Sequence, residues 1–345
     1  MTSGCRGTCA KVRLRVSVLL PAFNAAATLE SALESVRRQS EQRWECLIVD
    51  DGSTDGTLEL ARRAALRDDR FVVLPVAHGG IVAALSAGLE RCRGDVVARM
   101  DADDVMQRRR LELQLRALDE QPELSGVGCH VRLFPRARMS QGLRDYEAWL
   151  NAVRTPSEID REAFVECPLA HPTLMVRRQV LLAHGYRACP WPEDYDLVLR
   201  LREAGERLGV VPQRLLHWRD GSGRLSRSSS RYAVAAFVEC KAEYLARGFL
   251  RGQERYILWG FGDTGKALAA ALARREKHPS AIIELHPGRL GQLIRRVKVL
   301  PPDALRTLPR EPLVVSVAGL KARSEIRAAL AEMGFHELRD FVCAA

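Results

Sequence analysis

Four short apolar runs separated by helix-periodic stretches fill the first 120 or so residues and constrain the fold more than any other feature. Residues 16–20 stop at Pro21; residues 46–49 end in Asp50-Asp51-Gly52-Ser53; residues 71–74 follow; residues 96–100 run into Asp101-Ala102-Asp103-Asp104. Between them lie helical stretches at 28–38, 58–66 and 81–92. In the first, Leu29, Leu33 and Val36 share one face and Thr28 is a candidate N-cap. A strand apolar at every position has no face for water. Alternating with helices, such strands build a parallel sheet covered on both sides. The sequence predicts an α/β fold.

Beyond this region the pattern loosens. Residues 126–223 are less regular and richer in Pro, Trp and His, with one clear helical stretch at 194–202 behind Trp191-Pro192-Glu193. Residues 219–231 are rich in Gly, Ser and Arg and read as a mobile loop. An amphipathic helix is predicted over 233–245 and a linker over 247–254. A second α/β unit then starts at Arg255, with strand 256–259, a glycine turn, helix 266–275 and strands 281–285 and 313–317. The expected organisation is a domain over 12–246, a linker and a smaller domain over 255–345, which suits 345 residues at roughly 150 per domain.

Composition narrows the function classes. With 47% hydrophobic and 28% charged residues the chain is globular rather than disordered. No apolar run reaches the roughly 18 residues of a membrane span, and residues 1–15 lack the apolar core of a signal peptide. Lys and Arg outnumber Asp and Glu by 53 to 43, a net charge of +10 suited to phosphorylated substrates or anionic lipid. Aromatics are only 6%, and no nucleic-acid-binding signature accompanies the charge, so nucleic acid is not an expected partner. Nine cysteines without a C-x-x-C pair, several of them inside apolar runs, fit a reducing cytoplasm.

In a parallel sheet, ligands bind beyond the carboxyl ends of the strands. Those ends here carry Pro21-Ala22-Phe23-Asn24, Asp50-Asp51 and Asp101-Ala102-Asp103-Asp104. Carboxylates crowded at one edge repel unless a cation joins them. A hard divalent ion such as Mg²⁺ or Mn²⁺, shared with substrate phosphates, resolves the repulsion.

These motifs, Val16 through Asn24, Leu47 through Thr57 and Ala98 through Asp104, resemble the family-two glycosyltransferases of GT-A fold that build bacterial surface polysaccharides. The resemblance spans about residues 14–240. It implies that Pro21, Ala22, Phe23, Asn24 and Asp51 cradle the nucleoside, with Glu30 on the first helix nearby. It places the family's Asp-x-Asp on Asp101, Ala102 and Asp103, with the two aspartates as metal ligands; Arg99, just before them, either touches the diphosphate or pairs with an aspartate. Arg108 stands where relatives commonly have proline, followed by the usual Arg110-Leu111.

An acceptor hydroxyl needs a positioned base. Glu193-Asp194 is similar to the family's Glu-Asp pair, which makes Asp194 the expected base, with Glu193 orienting it or the acceptor, and implies inversion at the anomeric carbon. Acids at a helix start also complement its dipole. His171, Trp191, Arg219 and Arg224 are candidate diphosphate or acceptor contacts. The histidine that relatives carry a few residues past the tryptophan is replaced here by Asp220-Gly221-Ser222.

The second unit contains Gly260-Phe261-Gly262-Asp263-Thr264-Gly265-Lys266. As a P-loop it lacks the hydroxyl residue after the lysine, where Ala267 stands. As G-x-G-x-x-G it is well placed between strand and helix, with Glu284 as a ribose partner. The unit resembles the small nucleotide-binding-like domain of bacterial sugar acyltransferases. The expected function is metal-dependent transfer from a nucleotide-diphosphate sugar, a UDP-sugar by preference, to a glycan or lipid-linked acceptor, in the cytoplasm or peripherally on the inner leaflet. The alternatives are an NAD(P)-dependent oxidoreductase or a sugar-nucleotide sensor using Gly260 to Gly265.

Overall fold

The computed structural model describes residues 14–221 and 229–345. Among these residues the first sheet contains eight strands: β1 Val16–Ala22, β2 Trp44–Asp51, β3 Phe71–Val76, β4 Val96–Arg99, β5 Val105–Met106, β6 Leu124–Phe134, β7 Met175–Arg177 and β8 Arg207–Arg219. Their order is β3-β2-β1-β4-β7-β6-β8-β5. Strands β1 to β4 run parallel; β7 is antiparallel to both neighbours, β8 is parallel to β6, and β5 pairs antiparallel with the end of β8.

The parallel half forms for the expected reason. Every residue of β1 and β2 is buried. Alternate side chains enter two cores. Leu19, Leu47 and Val49 face Leu85 and Leu89 of α3 (Ile81–Arg91). Val18, Leu20, Cys46 and Ile48 face Leu29, Leu33 and Val36 of α1 (Leu29–Arg37) and Leu111 and Leu115 of α4 (Arg110–Glu120). Helix α2 (Thr57–Arg67) covers the outer strands through Ala61. Thr28 stands at the N-cap of α1 but makes no capping bond; its hydroxyl donates to the Ala25 carbonyl at 3.3 Å instead.

The middle region is more ordered than its sequence suggests. It contains the 11-residue β6 and the 13-residue β8, connected through α5 (Gln141–Leu150), α6 (Pro156–Glu162), α7 (Arg178–His184) and α8 (Glu193–Glu203). Register shifts near Leu124/Gly126 and around His130 interrupt the β6–β8 ladder. β6 is buried at its first eight residues and so carries no period-two signal, and the shifts break the regular register of β8 against it.

The second sheet has the order β11-β12-β10-β9-β13-β14, from β9 Arg255–Trp259, β10 His278–Ile283, β11 Leu293–Ile294, β12 Val297–Leu300, β13 Leu313–Val315 and β14 Phe341–Cys343. All its pairings are parallel except the β11–β12 edge. Helix α9 (Val234–Arg247) precedes it. Helices α10 (Asp263–Ala273) and α11 (Leu320–Glu332) cover opposite faces: Leu268 and Leu272 pack with Leu258 and Ile282, whereas Ile326 and Leu330 pack with Ile257 and Ile283. Val238, Ala242 and Leu245 of α9 share one apolar cluster with α10 and with β1 and β2. Between α9 and β9, Leu250 is fully buried. Arg327 bridges the units, pairing with Glu162 at 2.8 Å and Glu337 at 2.9 Å. Among the described residues, no helix is long and apolar enough to cross a membrane.

Candidate active site

The carboxyl ends of the four parallel strands meet at one sheet edge, and their loops are laced together. The Asn24 amide N–H donates to Ser53 Oγ (3.0 Å), Thr54 N–H to Asn24 Oδ1 (2.9 Å), and Ala25 N–H to Thr57 Oγ1 (2.8 Å). Asn24 holds a left-handed φ of +48°, which a short amide side chain tolerates. Pro21 and Ala22 are buried at the end of β1 and Phe23 emerges, exposed. The Phe23 ring stacks on His78, centroids 4.2 Å apart. Asp51 accepts from the N–H groups of Gly79 (2.8 Å) and Gly80 (2.9 Å), and the Nδ1 of His78 lies 3.0 Å from its carboxylate. Glu30 stands exposed in the first turn of α1.

Beyond β4 lies an acidic cluster. Carboxylate oxygens of Asp101, Asp103 and Asp104 lie within 4.8 Å of one another. Ala102 between them is buried. Asp104 is fully buried: its Oδ1 accepts the Arg219 N–H at 2.7 Å, and its Oδ2 has no hydrogen-bond partner. Burial, then the charges of Asp101 and Asp103, push its carboxyl well above the usual range. A buried, orphaned oxygen among three hard oxygen ligands fits a divalent cation of the Mg²⁺ or Mn²⁺ type.

Two arginines support this cluster. Arg99, at the end of β4, forms an ion pair with Asp101; burial disfavours its charge, but Asp101, joined by Tyr186 and Asp104, raises its pKa on balance. Arg110 is fully buried and donates to Gln114 Oε1 and to the Arg99 carbonyl, both at 2.9 Å. Gln114 in turn donates to the Thr173 carbonyl at 2.8 Å, tying the acidic turn to the His171-Pro172-Thr173 turn. Pairing of β5 with β8 delivers Arg219, whose Nε donates to the Asp103 carbonyl at 2.7 Å and whose guanidinium lies 4.5 Å from the Phe134 ring centroid.

The start of α8 faces the same place. Glu193 is buried; its Oε2 accepts from the Tyr232 hydroxyl at 2.6 Å, and its Oε1 lies 3.9 Å from His171 Nδ1. Asp194 is half-buried and its Oδ1 accepts the Tyr195 N–H at 2.8 Å. Burial and then the Glu193 charge push the Asp194 carboxyl up to about 7, with Arg99 pulling the other way. His171 is buried, 3.4 Å from the Tyr186 hydroxyl, and held neutral by burial and then by the Arg99 charge. The Trp191 indole N–H donates to Asp196 at 3.0 Å.

The Arg99 charge is thus felt across the site, in a direct pair with Asp101 and electrostatically with Asp104, Tyr186, His171, Asp194 and Tyr232. Asp51, Phe23 and Asn24 occupy the adjoining strand ends. Gly260 and Gly262 follow β9, Gly265 lies in the first turn of α10 and Glu284 follows β10, all in the second unit. Arg224 falls outside the described residues. The sequence reading missed His78, Tyr186, Tyr232 and the burial of Asp104. His78-Gly79-Gly80 follows β3, the one parallel strand end left unread, and its glycine pair is a usable signal. The tyrosines are single loop residues with no motif around them.

Comparison with known proteins bears on the family and the fold. The glycosyl transferase family 2 description matches residues 17–185. A Bacillus subtilis (strain 168) protein named as the glycosyltransferase EpsE is 32% identical over 226 residues, 64% of this chain and 78% of its own. The amylovoran biosynthesis glycosyltransferase AmsE of Erwinia amylovora is 28% identical over 249 residues, 70% of this chain and 91% of its own. Among solved structures, S. aureus TarS residues 1–349 in complex with UDP-GlcNAc superposes with a TM-score of 0.55 at 17% identity, covering 76% of this chain and 72% of that one. The mixed α/β fold is accordingly of the GT-A type, and the chain belongs to glycosyl transferase family 2.

Proposed function

We propose that the protein transfers a sugar from a nucleotide-diphosphate donor, preferentially a UDP-sugar, to a hydroxyl of a glycan or lipid-linked acceptor, with inversion. The observation that carries this reading is the position of Arg99. It pairs with Asp101 on one side and its charge acts on Asp194 on the other, which supports a single site shared by the acidic cluster and a carboxylate of near-neutral pKa.

In this reading Phe23 and His78 stack against the base, and Asp51 has remaining lone pairs for a base N–H or a ribose hydroxyl. Asp101, Asp103 and Asp104 would hold Mn²⁺ or Mg²⁺, which when bound neutralises charge on the departing diphosphate. Arg219 is placed beside the same leaving group. Asp194 takes the acceptor proton as the hydroxyl attacks the anomeric carbon from the face opposite the nucleotide. A carboxylate with a pKa near the working pH is well matched to that task. Glu193, tethered by Tyr232 and close to His171, orients the acceptor. Residues 12–246 form the catalytic unit and 255–345 an appended one, and the basic surface holds the enzyme at an anionic inner leaflet.

The test is metal-dependent nucleotide release from a panel of nucleotide sugars, with the product anomer read by NMR. Turnover insensitive to EDTA, or retained by Asp194→Asn, overturns the assignment. TarS, a fold neighbour crystallised with UDP-GlcNAc, makes UDP-sugars the first donors to try.

A further inference from the structure

The second sheet carries a crevice that the sugar-transfer reading does not use. Its strands spread from β9 in opposite directions, to β10 and β12 on one side and to β13 and β14 on the other. Where connections of opposite sense part, a crevice opens beyond the carboxyl ends of the two central strands. Residues 260–265 and Ser316, the residue after β13, sit at this point.

The turn is closed where it holds the helix and open where a ligand would lie. Gly260 has φ +93°, and a Cβ there would stand 2.5 Å from Val317 Cγ2. A Cβ on Gly265 would come within 2.1 Å of the Gly260 carbonyl oxygen. A Cβ on Gly262 would meet nothing within 4 Å. The 11-residue α10 has no side-chain cap at its N-terminus, so its first N–H groups and the positive end of its dipole face the crevice.

Ser316 is an independent sign of a ligand. The residue is 4% exposed and its hydroxyl has no hydrogen-bond partner. Its Cβ lies 3.7 Å from the position a Cβ on Gly265 would take, so the side chain stands beside the first turn of α10. Buried hydroxyls are rarely left without a partner. At the mouth, Arg289 Nη1 lies 3.1 Å from Glu284 Oε2 and 3.2 Å from the Phe261 carbonyl oxygen. Lys266 lies 3.4 Å from Asp263, whose side chain points fully into solvent.

We propose that this crevice binds a nucleoside diphosphate group. The diphosphate lies on the backbone N–H groups of residues 262–265, with Ser316 Oγ donating to it and Arg289 and Lys266 as flanking cations. Glu284 accepts from a ribose hydroxyl. Because backbone dipoles supply the positive field, binding needs no divalent ion.

The test is calorimetric titration of the full chain with ADP, UDP and NAD⁺ in EDTA, where metal-requiring binding at the first sheet is silent. Saturable binding is expected for at least one of the three, and the preferred probe identifies the base. Gly262→Asp, at an ordinary φ of −72°, puts a carboxylate into the open side of the turn and should weaken that binding at least about tenfold. Ser316→Ala should weaken it several-fold. Both variants should keep the wild-type melting temperature, and their metal-dependent turnover at the first sheet should be unchanged. No saturable binding up to millimolar probe, or binding that Gly262→Asp leaves intact, overturns the proposal.

Discussion

The Tyr232 hydroxyl donates to Oε2 of Glu193 at 2.6 Å, joining the segment before α9 to the first turn of α8. This bond fixes the carboxylate next to Asp194 and leaves the other Glu193 oxygen facing His171. Removing it with Tyr232→Phe takes away a hydrogen bond to a charged group, which contributes about 1.5–3 kcal/mol. Turnover should fall by roughly tenfold or more with the fold intact, as read by kcat and by circular dichroism.

With Asp194 as the proposed base, its titration sets the pH dependence of turnover. Its carboxyl titrates at about 7 and must be ionised to accept a proton, so kcat/KM should rise from pH 6 to a plateau near 8. The stability sign is opposite. The folded value lies above the unfolded one, so the residue's contribution is full below the unfolded pKa of about 4 and is lost as pH rises through 7. Asp194→Asn should abolish transfer and raise the melting temperature at pH 8. A flat pH–rate profile would count against Asp194 as base.

Asp104 is the most buried acid of the cluster, and Asp104→Asn keeps an oxygen to accept the Arg219 N–H. The loss is then of charge rather than of fold. The Mn²⁺ concentration for half-maximal turnover should rise about 10–100-fold, and EDTA should abolish wild-type turnover until metal is restored. An unchanged metal requirement in the variant argues that the ion sits elsewhere.

Phe23 and His78 form a ring stack beside Asp51. Base–aromatic stacking contributes about 1–3 kcal/mol, so Phe23→Ala should raise the donor KM by roughly tenfold while kcat changes little. A fall in kcat with KM unmoved would place Phe23 at the acceptor instead.

Arg110 touches neither proposed substrate, yet its guanidinium holds the Arg99 carbonyl. Arg110→Met keeps much of the volume but loses that anchor, taking the guanidinium donor from Gln114 Oε1 and from the Arg99 carbonyl in the core. Stability should drop by about 2–4 kcal/mol, measured by urea unfolding, with a further loss of kcat in the folded fraction.

The parallel half of the fold was readable because β1 and β2 are buried throughout and acids mark the ends of β2 and β4. Asp51, Asp101, Asp103 and the Glu193-Asp194 pair were legible as motifs. The strands β6 and β8 were not, since β6 is buried at its first eight residues and shows no alternation, and register shifts around His130 interrupt its ladder with β8. Tyr232 lies 39 residues from Glu193 in sequence, and only the folded chain pairs them. The Gly260-to-Gly265 turn was legible in sequence, whereas the orphaned hydroxyl of Ser316 was visible only in three dimensions.

The apolar cluster running from Leu19 and Leu47 through Cys240 and Leu245 to Leu268 and Leu272 belongs to both sheets at once. Neither half can lose its packing without stripping the other of a wall. Heating should give one calorimetric peak rather than two, and the appended sheet becomes a structural brace for the catalytic half whatever else it binds.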